Sequence, residues 1–167
     1  MRKSGFTLIE MIAVLLILAI LAAALTAGLA NARNKAWRTQ VRENCRSLCT
    51  AWNAYLLDCR KFPKDIPGGG KKLEAKFDNI KWIVDAEENR FSRIYLEISE
   101  EEKKNGLIDH WGQKLHFSLD TDYDGQVENP YPGALDPAVK NAKATSIAWS
   151  DGDPRRAKRD DNPIVIW

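Results

Sequence analysis

Three aspartates alternate with other residues in the stretch Asp120-Thr121-Asp122-Tyr123-Asp124-Gly125. Alternating carboxylates followed by a glycine open many calcium-binding loops, because the carboxylates converge on a hard cation and the glycine permits a sharp turn. The twelfth position of such a loop holds Tyr131, where a complete EF-hand needs a bidentate glutamate. The pattern therefore indicates either a partial calcium site, completed by Glu128 or a distant aspartate, or a metal-free turn between strands.

A second group of aspartates lies near the C-terminus and comprises Asp151, Asp153, Asp160 and Asp161. Between the two pairs of this second group lies the basic run Arg155-Arg156-Ala157-Lys158-Arg159. Nucleic-acid binding is not favoured, because the run has no interleaved aromatic residue and no second basic face supports it. We interpret it as a solvated loop with local ion pairs.

One acidic residue, Glu10, interrupts the apolar segment Leu8–Ala24. The following run, Met11–Ala30, contains no charge and no proline. At ~1.5 Å rise per residue, a helix over that run spans roughly the ~30 Å hydrocarbon core of a bilayer. A carboxylate in hydrocarbon is costly unless it is paired or reaches the interface. The sequence therefore predicts a membrane-spanning helix whose single acid needs a cationic partner or an interfacial position.

The stretch Lys3-Ser4-Gly5-Phe6-Thr7-Leu8-Ile9-Glu10-Met11 resembles the type III signal of type IV pilins and type II secretion pseudopilins. This resemblance implies that prepilin peptidase cuts between Gly5 and Phe6 on the cytoplasmic side and methylates the new amino terminus. In a filament of helices, Glu10 of one subunit would then neutralise the Phe6 ammonium of a neighbour and select the axial register, as buried polar groups do in coiled coils. A Glu10 that snorkels to the membrane interface is the alternative.

An ordinary secretory signal is the competing interpretation of the N-terminus, because Leu29–Ala32 offers a small-residue cleavage site. The apolar run is, however, longer than the ~7–15 residues of a typical signal. The positive-inside rule also disagrees with the motif, since more basic residues follow the span than precede it. We follow the motif, which implies a single-pass protein of the bacterial inner membrane with its N-terminus in the cytoplasm and its head in the periplasm.

Apolar residues continue beyond the span at steps of three and four, at Trp37, Val41, Cys45, Leu48, Trp52, Tyr55, Leu56 and Cys59. This spacing predicts one helix from about Thr7 to Cys59, amphipathic in its second half and ended by Pro63 and the prolines and glycines that follow. Small apolar core residues are the favoured interpretation of Cys45 and Cys49. A disulfide between Cys59 and one of them remains open.

The rest of the chain predicts a small head. Short β-branched or aromatic segments bounded by turn residues predict strands at Lys114–Leu119, Ser146–Trp149 and Ile164–Trp167. We predict a helix over Leu73–Glu88 and an exposed turn over Ser99–Lys104, and Arg93–Ile98 fits either strand or helix. The fold class is therefore α+β, a long N-terminal α-helix packed on a small antiparallel β-sheet head. Its parts are a leader (1–5), the membrane or filament-core half of the helix (6–30), its amphipathic half (31–59) and the head (60–167).

Two further segments resemble the heads of major pseudopilins. Asp109-His110-Trp111-Gly112 is similar to their Asp-Pro-Trp-Gly segment, with His110 in place of proline. Ser150-Asp151-Gly152-Asp153 and the later Asp160-Asp161-Asn162-Pro163-Ile164 are similar to their C-terminal calcium loop, with altered spacing. This resemblance implies a second candidate calcium site at Asp151, Asp153, Asp160 and Asp161, which can share one ion with the first aspartate group. The resemblance implies a structural subunit that assembles with copies of itself and other pilin-like subunits on an inner-membrane assembly platform.

Two other functions remain open. One is a type IV pilin for adhesion, motility or DNA uptake. The other, of a different class, is an exported or membrane-anchored enzyme with an ordinary signal. The sequence contains no serine-hydrolase elbow, phosphate loop, dinucleotide fingerprint or zinc-protease motif. The net charge of +2 also gives no reason to expect an acidic partner. We therefore expect no enzymatic activity and, apart from calcium, no cofactor.

Overall fold

The computed structural model describes residues 7–132, 140–156 and 163–167. A long helix, α1, runs from Leu8 to Cys59 and begins one residue after the predicted start. A small antiparallel sheet and short helices follow it, so the predicted α+β class is confirmed. The chain divides into two compact units, the first ending at Trp37 and the second beginning at Arg38.

In the described part of the first unit, the apolar side chains of α1 between Leu8 and Leu25 are exposed. Leu8 is 77% exposed, Ile17 56% and Leu25 73%. Exposing apolar surface to water costs about 25 cal/mol per Å², so these side chains require lipid or another protein chain. By length and composition α1 is a candidate membrane span, although a signal sequence near an N-terminus meets the same criteria.

In the second unit, the predicted apolar stripe of α1 forms the core. Val41, Cys45, Leu48 and Trp52 are each at most 1% exposed. The ring of Trp52 stacks on Phe117 of the sheet, with centroids 5.5 Å apart. Cys45 and Cys49 are buried on this stripe and, like Cys59, have free thiols, which agrees with their interpretation as core residues.

The end of α1 at Cys59 has a local cause. Arg60 takes a left-handed backbone conformation, with φ 64°, and its N–H still donates to the Leu56 carbonyl at 2.8 Å. This is the αL termination that satisfies a last-turn carbonyl. Phe62 then turns back into the core, where it is 5% exposed, and Pro63 prevents a helical restart.

The sheet packs across the stripe of α1. The described strands are β1 (Leu73–Glu74), β2 (His116–Leu119), β3 (Val127–Glu128), β4 (Asn141–Ala142), β5 (Ser146–Ser150) and β6 (Ile164–Ile166). Four of them form an antiparallel sheet in the order β1-β2-β5-β6, and β3 and β4 form a separate two-stranded ribbon. The three strands predicted from sequence correspond to β2, β5 and β6, with ends shifted by one or two residues.

The central strand β5 is buried on both faces because it separates two apolar clusters. Ala148 faces the cluster built on α1. Ile147 and Trp149 belong to a second cluster, with Val127 and Ala142 of the ribbon. Successive side chains of a strand point to opposite faces, so the ribbon covers the side of the sheet that faces away from α1.

The prediction for Leu73–Glu88 was wrong in its first part. Leu73 and Glu74 are extended because they pair with Phe117 and His116 of β2. The helix α2 covers only Phe77–Val84, and a 3-10 turn follows at Ala86–Glu88. Backbone pairing with a distant strand overrides local helical preference here.

The charged segment after residue 98 is more regular than predicted. It forms a short helix, α3 (Glu100–Asn105), with a reciprocal capping box between Ser99 and Glu102. The segment Arg93–Ile98, which the sequence left open, has no regular secondary structure. Gly106 ends α3 at φ 81°, and a Cβ there would lie 3.0 Å from the Ala75 carbonyl oxygen, so glycine is required at this position.

We predict that Trp52→Ala destabilises the head by about 3–5 kcal/mol, because it leaves a large cavity between α1 and the sheet. Leu57→Ala is the matched control on the same helix, since Leu57 is 70% exposed; its effect is expected within about 0.5 kcal/mol. Urea unfolding of the detergent-solubilised chain, followed by circular dichroism, measures both. Equal effects of the two substitutions would contradict this packing.

Candidate assembly and metal sites

Glu10 and Thr7 form a hydrogen-bonded cap at the start of α1. The backbone N–H and the hydroxyl of Thr7 both donate to Glu10 Oε2, each at 2.8 Å. The Glu10 N–H lies 3.4 Å from Thr7 Oγ1, which completes a capping box. The charge of Glu10 alone did not predict this capping role, although the Thr-x-x-Glu spacing is its signature. Gly5 and Phe6, the predicted cleavage site, lie outside the described residues.

The carboxylates of Asp120, Asp122 and Asp124 converge as the sequence predicted for a partial calcium loop. One oxygen of each lies within 4.8 Å of the others. Asp120 is 4% exposed and anchors the loop, because its Oδ1 accepts from the Asp124 N–H at 3.1 Å and its Oδ2 from the Gly125 N–H at 2.8 Å. Left-handed conformations at Tyr123 (φ 61°) and Gly125 (φ 77°) make the turn.

Electrostatic crowding accompanies this convergence. Burial raises the pKa of Asp120, and the neighbouring Asp122 carboxyl raises it further, against the lowering effect of the backbone N–H donors. A cavity of about 270 Å³ adjoins the loop, and most of its lining side chains carry oxygen ligands. Among these, Glu128 forms an ion pair with Lys72 at 3.1 Å. Carboxylate and amide oxygens around such a space fit the ligand preference of calcium.

The second predicted calcium group is differently arranged. The Asp153 carboxylate, 4% exposed, accepts two hydrogen bonds from the Arg155 guanidinium, each at 2.9 Å, and these lower the pKa of Asp153. Asp151 accepts from the Tyr131 hydroxyl. Asp160 and Asp161 lie outside the described residues, so calcium at this loop stays a prediction, and an ion there would compete with Arg155 and Tyr131.

A buried carboxylate, Asp109, joins the two head segments that the sequence singled out. Its Oδ1 accepts from the N–H groups of Trp111 and Gln113, both at 2.8 Å. Its Oδ2 accepts from the Ser150 hydroxyl at 2.6 Å, and Ser150 Oγ in turn accepts from the Gly152 N–H at 2.9 Å. The Asp109–Gly112 turn and the Ser150–Asp153 loop are therefore held as one unit. The sequence marked both segments but gave no sign that they touch.

Comparison with known proteins assigns one part of the chain. Residues 1–26 match the family model described as the prokaryotic N-terminal methylation motif. No curated protein matches the chain, and no solved structure matches it. The match includes Gly5, Phe6 and Glu10, together with most of the exposed apolar half of α1. The motif and the apolar half of α1 together fit a chain that is anchored in a membrane through a single helix.

We predict that Asp109→Ala destabilises the head by about 2–3 kcal/mol, because buried N–H and hydroxyl donors lose their acceptor. Asp65→Ala is the control, since Asp65 is exposed and such surface changes usually stay within about 0.5 kcal/mol. Chemical unfolding measures the loss. Hydrogen exchange at Gly152 should also accelerate; an unchanged exchange rate there would show that Asp109 does not support the C-terminal loop.

Proposed function

We propose that this chain, which carries the prepilin signal of type IV pilin-like proteins, is a structural subunit of a filament, of the type II secretion pseudopilin kind. The observation that carries the proposal is the methylation motif in residues 1–26, together with a helix whose apolar side chains between Leu8 and Leu25 are exposed. The motif implies processing by prepilin peptidase. Retention of the helix after cleavage supplies both a membrane anchor and, on assembly, an apolar surface for neighbouring helices.

The chemistry of Glu10 explains how subunits would select one register. Cleavage after Gly5 would leave an ammonium group on Phe6, about one helical turn from Glu10. Both hydrogen bonds from Thr7 end on Oε2 of Glu10, so we assign Oε1 to the Phe6 ammonium of a neighbouring copy. An unpaired charge in an apolar bundle costs several kcal/mol; arrangements that fail to pair the two groups are therefore disfavoured.

The resemblance of two head segments to major pseudopilins supports the pseudopilin branch over a type IV pilin. The two segments that resemble major pseudopilins, Asp109–Gly112 and Ser150–Asp153, are joined by the hydrogen bond from Ser150 to Asp109. This buried hydrogen bond indicates that the two segments form one structural feature of the head. With the N-terminus cytoplasmic and the head periplasmic, the filament would grow from an inner-membrane assembly platform.

Substitutions at Glu10 separate its charge from its capping role. Glutamine also serves at this position of a capping box, so Glu10→Gln removes the charge and keeps the cap, whereas Glu10→Leu removes both. We predict that both variants are processed but lower filament yield by at least roughly tenfold, the effect of about 1.4 kcal/mol per contact. Glu43→Gln, an exposed change on the same helix, is the control. Yield is measured by shearing and immunoblotting.

The two Glu10 variants together show whether assembly depends on the carboxylate charge or on the helix cap. Loss of filaments in Glu10→Leu alone, with normal yield in Glu10→Gln, would mean that capping matters and the carboxylate charge does not. Normal yield in both variants would overturn the proposed pairing with Phe6.

We also propose that calcium binds at Asp120, Asp122 and Asp124. The convergence of three carboxylates around one loop and the raised pKa of the buried Asp120 support it, because a divalent cation would relieve their mutual repulsion. When bound, the ion would supply the positive charge that holds this loop together. Asp120 would also keep the backbone hydrogen bonds that already shape the turn.

Thermal melting tests the calcium proposal. Calcium at about 100 times its Kd should stabilise the chain by about 2.7 kcal/mol, and Asp122→Asn with Asp124→Asn should abolish the effect, whereas the exposed control Asp65→Asn should not. Because the pKa of Asp120 is raised, the calcium effect should be full at neutral pH and disappear as the pH falls through that pKa. A melt that is identical with calcium and with chelator would exclude the ion.

A further inference from the structure

A groove runs along α1 on the head, and its second wall is a segment that we call the strap, Tyr95–Ile98. Two adjoining cavities of about 380 and 160 Å³ make up this groove and share Ser47, Leu96 and Glu97. We propose that the groove receives the N-terminal helix of a second copy of this chain. The inference rests on the proposed filament function and names the surface through which neighbouring copies would meet.

The strap is held firmly, so the groove exists before any partner binds. The N–H groups of Tyr95 and Leu96 both donate to the Ile83 carbonyl, at 2.8 and 2.9 Å. The Tyr95 hydroxyl donates to Asp58 of α1 at 3.0 Å, and Arg93 forms an ion pair with the same carboxylate at 2.7 Å. A preformed groove avoids the entropic cost of ordering a wall on binding.

The floor of the groove, formed by α1, allows a second helix to approach closely. On α1 it is lined by Ser47, Thr50, Ala51 and Ala54, which follow one another at helical spacing on one face. Small side chains on one helix allow a second helix to approach closely. At the other end the apolar side chains of Leu96, Ile98, Leu107 and Ile108 line the groove, together with the polar Asn44, Glu97 and Glu102. An apolar helix therefore fits this surface better than a polar loop or a charged ligand.

The chain itself supplies such a helix. The side chains of α1 from Leu8 to Thr26 are exposed in the single copy, and Leu29 is 70% exposed. The charges also match: the first charged residues after the apolar run are Arg33 and Lys35, and no acidic residue lies between Met11 and Arg42. The rim of the groove carries the carboxylates of Glu97 and Glu102, and its one lining arginine, Arg46, forms an ion pair with Glu43 at 2.7 Å. A neighbour's apolar run in the groove would bring its basic residues to this rim.

Photo-crosslinking in assembled filaments tests the contact directly. A benzoylphenylalanine residue replaces Glu97 at the rim of both cavities, and filaments are grown from a mixture of isotopically light and heavy copies. Mass spectrometry of mixed-isotope crosslinks then identifies contacts between copies. We expect the crosslinked partner peptide to fall within residues 8–37. Filaments whose inter-copy crosslinks fall only on head residues would overturn the proposal.

Blocking the groove gives an independent test. Ser47 is exposed and shared by both cavities, so Ser47→Trp should fill the groove and lower filament yield by about tenfold, with an unchanged thermal melt. Leu57→Trp is the matched control, because Leu57 is an exposed position of α1 that does not line either cavity. Undiminished filament yield from folded Ser47→Trp would overturn the inference.

Reversing the charges on both sides tests the proposed ion pairing between the groove rim of one copy and the basic residues of its neighbour. Glu97→Lys should reduce assembly, and combining it with Arg33→Glu and Lys35→Glu in every copy should restore at least part of the yield. No rescue, with wild-type filaments present, would contradict the proposed pairing. Failure of the unsubstituted chain to form any filament would instead contradict the proposed function itself, so the two failures are distinguishable.

Discussion

The constraint on which the rest of the structure depends is the single carboxylate of Glu10 at the start of a long apolar helix. Within one copy, Thr7 satisfies part of its hydrogen-bonding capacity, but no hydrogen bond removes its charge. The exposed leucines and isoleucines of the same helix require lipid or protein around them. A helix with these two requirements is stable in a bilayer as a monomer and gains most from neighbours that provide both apolar cover and a cation.

In the second unit, different faces of α1 are covered by different parts of the head. From Val41 onward one face of α1 is buried under the sheet, and the strap covers part of another face through its hydrogen bonds to Ile83 and Asp58. The remaining small-residue face, around Ser47, is left as a groove. In the proposed filament, this groove would be the side of α1 that another copy contacts, and the apolar half of that copy's α1 would fill it.

The sequence predicted the long helix and three strands because each has a strong local signal: the spacing of Trp52 and its neighbours, or short β-branched runs such as Ile164–Ile166. It failed where distant backbone pairing decides the structure, as at Leu73–Glu74. For the sites, the aspartate spacing predicted the convergence at Asp120, because those ligands are local. The sequence did not predict the hydrogen bond between Ser150 and Asp109, since it carries no signal for contacts between distant loops.

The most direct test of the central claim is the mass and N-terminal sequence of the processed chain. We expect a chain that begins at a methylated Phe6 and retains the whole apolar helix, because only that terminus places an ammonium group one turn from Glu10. A mature chain that begins near Ala30 to Arg33 would show that the apolar run is an ordinary export signal. The mature chain would then lack both Glu10 and the apolar helix, which would contradict the proposed filament assembly.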